Sequence, residues 1–146
     1  MTFASTYFSE IVIWSAGQFK YVHAVSDLIF DQIEPKPQII KTYDDCHHNG
    51  TRVHKPLSDL NLNPSQVLCL DDREDTYSLN KRNGILIPVY EPKPTFGSIM
   101  SEDISLVQLM CWLSQPGVLK CDDVRKLDKS TIFTTPLDRY QRDLHY

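Results

Sequence analysis

Long apolar runs are missing from this sequence, and nothing in it approaches the roughly 18 to 20 consecutive residues that a membrane-crossing helix needs. No membrane association is expected. Positive charge is also in short supply. Its 15 Lys and Arg against 19 Asp and Glu leave a formal net charge of -4, which argues against a dedicated nucleic-acid binder and against a broadly acidic partner. Cysteine is sparse and irregular: Cys46, Cys69, Cys111 and Cys121 contain no C-x-x-C pair, so neither a disulfide framework nor a four-cysteine zinc site is expected. The opening MTFASTYFSE has no basic segment, and the apolar stretch after it is too short for a secretory leader. These absences together describe a soluble, intracellular protein with reduced thiols.

What remains is a globular composition, 146 residues with 41% hydrophobic, in keeping with a single domain. Residues 10–14 (EIVIW) form a short β-branched run ending at Ser15-Ala16-Gly17, the pattern of a buried strand feeding a turn. A helix is expected from Phe19 to about Phe30, with Tyr21, Val22, Val25, Leu28 and Ile29 as its apolar stripe, and Pro35-Lys36-Pro37 bars its continuation. Residues 38–43 (QIIKTY) suit a second strand, and Asn49-Gly50 a hairpin turn. Residues 57–62 suggest a turn. Residues 67–70 (VLCL), stopping on Asp71-Asp72, read as a buried parallel strand, and residues 85–89 as another with Pro88 at its end. Ser101 is expected to cap a helix that buries Ile104, Leu106, Val107, Leu109, Met110 and Leu113, with Glu102 and Asp103 in its first turn and Pro116-Gly117 closing it. The organisation is thus an α/β domain over residues 1–119 and a charged, loosely packed C-terminal tail over residues 120–146.

Ligands of such folds sit beyond the carboxyl ends of the strands, and three features fall there or in the loop between: Ser15, Lys55 and the pair Asp71-Asp72. Together they suit a phosphate. A hydroxyl with backbone amides binds phosphoryl oxygens, a lysine neutralises their charge, and a carboxylate holds Mg2+, which favours oxygen ligands and keeps several waters. Cys46-His47-His48 with His54 matches no usual zinc spacing, and Asn49-Gly50-Thr51, a glycosylation sequon, is expected to stay unmodified. Trp14, Trp112 and the tyrosines read as core residues, not as a base-stacking platform.

The order of hydroxyl, lysine and aspartate pair resembles the haloacid-dehalogenase-like phosphatases, and most closely the branch acting on the C-terminal domain of RNA polymerase II, the NLI-interacting-factor-like phosphatases. Residues 10–21 (EIVIWSAGQFKY) look like that family's second motif, and residues 55–72 (KPLSDLNLNPSQVLCLDD) like its third and fourth. The likeness runs roughly from Tyr7 to Met110, with Tyr77 and Asn83 in the following loop fitting it and Pro56 departing from it. It implies a haloacid-dehalogenase-like, mainly parallel sheet with a small β-hairpin insertion. It further implies Ser15 and Lys55 on the phosphate, Asp72 on Mg2+, Asp71 orienting Lys55, and a phosphoserine or phosphothreonine protein as substrate.

The family's nucleophile motif, Asp-x-Asp-x-Thr or Val, does not occur in these residues. In that superfamily it ends a central strand lying between the strand that leads to Ser15 and the one that leads to Asp71. The expectation is therefore a sheet incomplete at its N-terminus, either because the sequence is a truncated reading of a longer protein or because it is a remnant that folds differently or depends on a partner chain for the strand, with weakened Mg2+ binding and no turnover by this chain alone. The alternative expectation is a non-catalytic module that binds a phosphopeptide or docks a protein through its tail.

Overall fold

The computed structural model describes residues 2–91 and 103–143. The chain divides into two compact units, Met1–Pro56 and Leu57–Tyr146.

In the first unit, helix α1 (Thr2–Tyr7) precedes strand β1 (Val12–Trp14), helix α2 (Phe19–Ile29) and strand β2 (Ile39–Lys41). The β-branched residues before Trp14 favour extended backbone, and β2 lies parallel to β1 with Val12, Ile13 and Trp14 opposite Ile39, Ile40 and Lys41. Backbone bonds prolong this short ladder at both ends, from Gln38 N–H to the Ile11 carbonyl (3.0 Å) and from Ser15 N–H to the Lys41 carbonyl (3.0 Å). The Gln38 side chain accepts the Ile11 N–H at 2.7 Å. The hairpin of β3 (His47–Asn49) and β4 (Arg52–His54) forms as expected, on a two-residue turn whose Gly50 has φ +61°.

The apolar stripe expected on α2 is only partly covered. Val22 and Ser26 are buried and Phe30, at the C-cap, is almost completely so, whereas Tyr21 is 65% and Leu28 79% exposed. Two strands about 4.8 Å apart are wide enough to cover one row of helical side chains, not a full face. For the same reason β1 is half-buried instead of buried. Helix α1 was not anticipated; Phe3 and Tyr7, one turn apart, stack with ring centroids 5.3 Å apart.

In the second unit, short 3-10 turns at Leu57–Leu60 and Pro64–Gln66 lead to β5 (Cys69–Asp71), and successive 3-10 turns over Glu74–Asn83, broken by non-helical backbone at Tyr77 and Asn80, connect it to β6 (Gly84–Leu86). The two strands are parallel, with Cys69, Leu70 and Asp71 opposite Gly84, Ile85 and Leu86. Ile85 is buried, but Leu70 is 44% exposed, so β5 is not the doubly covered strand its unbroken apolar run suggested. The α/β character is present, yet its parallel strands occur as two separate pairs, and each sheet among the described residues has two strands.

Helix α3 (Ser105–Leu113) starts later than expected. Ser101 and Glu102 lie outside the described residues, and Asp103 accepts the Ser105 N–H at 3.0 Å. Its buried face is also different: Gln108, Leu109, Trp112 and Leu113 are inside, while Ile104, Leu106, Val107 and Met110 are exposed. The helix is apolar nearly all round, so tertiary contacts choose the face. They come from the C-terminal segment, where Gln108 Nε2 donates to the carbonyls of Phe133 (3.3 Å) and Thr135 (3.0 Å). Pro116 opens helix α4 (Pro116–Leu119) instead of only closing α3.

The segment after Lys120 is correspondingly seated, not loose. Ile132 has no exposed surface, and the buried Tyr140 of helix α5 (Leu137–Asp143) donates its hydroxyl to the Ile132 carbonyl at 2.9 Å. Lys129 Nζ donates to the carbonyls of Val124 (2.6 Å), Arg82 (2.9 Å) and Leu127 (3.3 Å), and burial pulls its pKa down. Within the segment expected to be a loose charged tail, Lys129 is thus a backbone clamp.

Gly84 lies against the face of buried Tyr77, and a Cβ there would fall inside the van der Waals envelope of three ring carbons. Gly84→Ala is expected to cost about 1–3 kcal/mol through overpacking. An unchanged urea-unfolding midpoint for that variant would refute this packing.

Candidate functional site

Ser15, Ala16 and Gly17 leave β1 at its carboxyl end. The Ser15 Oγ accepts the Gly17 N–H at 3.0 Å, a serine turn that fixes the hydroxyl's position. Gly17 in turn accepts the Tyr43 N–H at 2.9 Å through its carbonyl, so the turn is strapped to the chain leaving β2. The space is close: a Cβ on Gly17 would meet Val22 Cγ2 at 3.0 Å and the Ser15 Oγ at 3.2 Å. The buried Cys46 thiol lies 3.5 Å from the Thr42 carbonyl and 3.9 Å from that of Ser15.

The strap is itself built on a capping box. Asp45 accepts the Thr42 N–H at 2.7 Å and its hydroxyl at 3.4 Å, closing the 3-10 turn Tyr43–Asp45. Its carboxyl is held below the usual range first by that backbone N–H and then by the charge of Lys41, whose Nζ is 3.7 Å away. Lys41 Nζ also stands 5.0 Å from the Trp14 ring centroid, the last rung of the β1–β2 ladder.

Lys55 follows β4 directly, half-buried and ahead of buried Pro56. The hairpin histidines show no zinc arrangement. His48 Nε2 is 3.1 Å from the Tyr43 carbonyl, its ring 4.3 Å from the Tyr43 ring, and no group of three or more His, Cys, Asp or Glu suited to a metal occurs among the described residues.

In the second unit Asp71 ends β5, and its Oδ1 accepts the Arg73 N–H at 3.0 Å, while its carbonyl accepts the Ile87 N–H at 3.0 Å. Asp72 is exposed. The Arg73 guanidinium grips Asp75 with two bonds of 3.1 and 2.8 Å, which raise its pKa, with smaller contributions from Asp71 and Asp72. Burial raises the Tyr77 pKa, with the charges of Glu74 and Asp71 adding to it. The following loop is held by amide side chains. Asn83 Nδ2 donates to the carbonyls of Pro64 (2.6 Å) and Val67 (2.7 Å), and Asn80 accepts the Leu57 N–H at 3.1 Å. Tyr77 and Asn83 are therefore residues of packing and of loop geometry.

The expected site residues fall in two groups, Ser15 and Lys55 in the first unit and Asp71 and Asp72 in the second. Ser15, Asp71 and Asp72 each stand at the carboxyl end of a strand of a parallel pair. Trp14, Lys41 and Asp45 were not anticipated as site neighbours. The Thr42-Tyr43-Asp44-Asp45 spacing, a capping-box pattern, was the available signal for Asp45. For Mg2+ the donors at the end of β5 are two carboxylates, one oxygen of Asp71 being already hydrogen-bonded. That suits an ion that takes one or two carboxylates and completes its shell with water and phosphate.

The family model of NLI interacting factor-like phosphatases matches residues 1–125, and the chain belongs to that family. No curated protein matches it. Among the described residues no helix is long and apolar enough to cross a membrane.

Because the Asp45 carboxyl titrates lower in the folded chain than its ordinary value of about 4, its stabilising contribution is full above that value. It is lost as pH falls through the lower folded-state pKa. The Asp45→Asn variant is expected to unfold at lower urea than the wild type at pH 6, and the gap is expected to narrow on approaching pH 3. A gap independent of pH would contradict the capping role of the charged carboxylate.

Proposed function

We propose that the chain is the phosphate-binding part of a Mg2+-dependent phosphoserine or phosphothreonine protein phosphatase domain acting on the polymerase C-terminal domain or a similar phosphoprotein. The observation that carries this reading is the Ser15 turn at the carboxyl end of β1, in a chain matched by the phosphatase family over residues 1–125. Ser15 and the backbone amides after it receive phosphoryl oxygens, and Lys55 neutralises their charge. Asp72 would hold the metal. Mg2+, on which this family generally depends, supplies charge stabilisation at the phosphoryl group.

The Asp-x-Asp-x-Thr or Val nucleophile is not among these 146 residues, so the chain alone binds phosphopeptide without hydrolysing it. Among the described residues β1 and β5 each pair with one strand, and in this reading a partner chain supplies the strand that bears the nucleophile.

Titration calorimetry with a phosphoserine peptide and Mg2+ is expected to show binding that weakens at least about tenfold in Lys55→Ala, the loss of one charge-assisted contact. No phosphate release is expected. An absence of heat from a folded sample would overturn the binding reading. Mg2+-dependent release abolished by Asp72→Ala would overturn the inactivity of the chain alone.

A further inference from the structure

The Trp14 indole Nε1 is buried and has no hydrogen-bond partner. Among the described residues it is the buried side-chain donor left without an acceptor, although buried polar groups in folded proteins are almost always paired. Its position is not neutral. Trp14 is the last rung of the β1–β2 ladder, at the carboxyl end where α/β proteins take their ligands, and the next residue is Ser15. The opposite member of that rung is Lys41, whose ammonium lies 5.0 Å from the Trp14 ring centroid and is only loosely engaged with Asp45, at 3.7 Å. One rung thus carries two donors, one neutral and orphaned, one charged and paired with Asp45.

We propose that Trp14 Nε1 and Lys41 Nζ form a subsite beside the Ser15 turn that takes a carboxylate, carried by an acidic residue next to the phosphorylated residue of the bound peptide. This deepens the phosphopeptide reading and rests on it for the peptide's placement. The indole N–H gains the acceptor it lacks, and the ammonium exchanges a long contact with Asp45 for a direct one. The Asp45 carboxylate keeps its bonds to Thr42 throughout, so the Ser15 strap is not disturbed.

The test compares two phosphoserine peptides, one with glutamate and one with alanine flanking the phosphoserine. The wild type is expected to prefer the glutamate peptide by about tenfold, the size of one charge-assisted hydrogen bond. In Trp14→Phe and in Lys41→Met the preference is expected to fall to within about twofold while the alanine peptide binds as before. Urea midpoints of both variants show whether they fold. Trp14→Phe, which removes the orphaned donor, is expected to unfold at no lower urea than the wild type. Equal affinity of the wild type for both peptides overturns the subsite and leaves the phosphopeptide reading standing. If neither phosphopeptide binds, that reading fails, and unphosphorylated triglutamate decides the subsite with Trp112→Phe, in which Trp14 is the sole tryptophan. A shift of emission on adding triglutamate, lost when Lys41→Met is combined with it, sustains the subsite, and no shift overturns it.

Discussion

Each strand among the described residues is three residues long and has one neighbour. A sheet of that size satisfies only part of its own backbone, and buried backbone groups must be paired. Side chains make up the difference. Gln38 takes the N–H of Ile11 ahead of β1, Asn83 takes two carbonyls ahead of β5, and Asn80 takes the N–H of Leu57. Gln108 and Lys129 do the same for the C-terminal segment. These amide and ammonium groups occupy the structural place that further strands hold in a wide sheet.

The same economy shapes the neighbourhood of Ser15. Its hydroxyl is placed by a bond to Gly17, its own N–H by Lys41, and the Gly17 carbonyl by Tyr43. The last of these depends on the capping box of Thr42 and Asp45. A serine at a strand end becomes a defined hydroxyl because the chain leaving β2 is held two residues beyond the strand's end, at Tyr43. One residue before it stands an orphaned indole N–H. Left unpaired, such a donor works against stability by about 1–3 kcal/mol, which makes its persistence at the ligand-facing end of a ladder notable in physical terms.

Exposed apolar surface follows from the same narrowness. Leu28 and Tyr21 on α2 and Val107 and Met110 on α3 remain uncovered because a two-stranded layer or a short tail covers one row of a helix. The periodicity of α2 located the helix correctly but overstated its buried face. In α3, where every face is apolar, periodicity had nothing to select, and the hydrogen bonds of Gln108 made the selection.

The order of residues was enough to read what local chemistry dictates: the β-branched run before Trp14 and the apolar run into β5, the α2 helix stopped before Pro35, the Asn49-Gly50 hairpin, and the family to which the chain belongs. Those features depend on backbone preferences and on spacing along the chain, so they survive without knowledge of neighbours. Tertiary structure decided what depends on distant partners. It made Lys129 a clamp on three carbonyls, seated Ile132 and Tyr140 where a loose tail was expected, and set Lys41 beside Trp14. Burial and pairing are properties of contacts far apart in sequence, and a pattern three or four residues wide does not contain them.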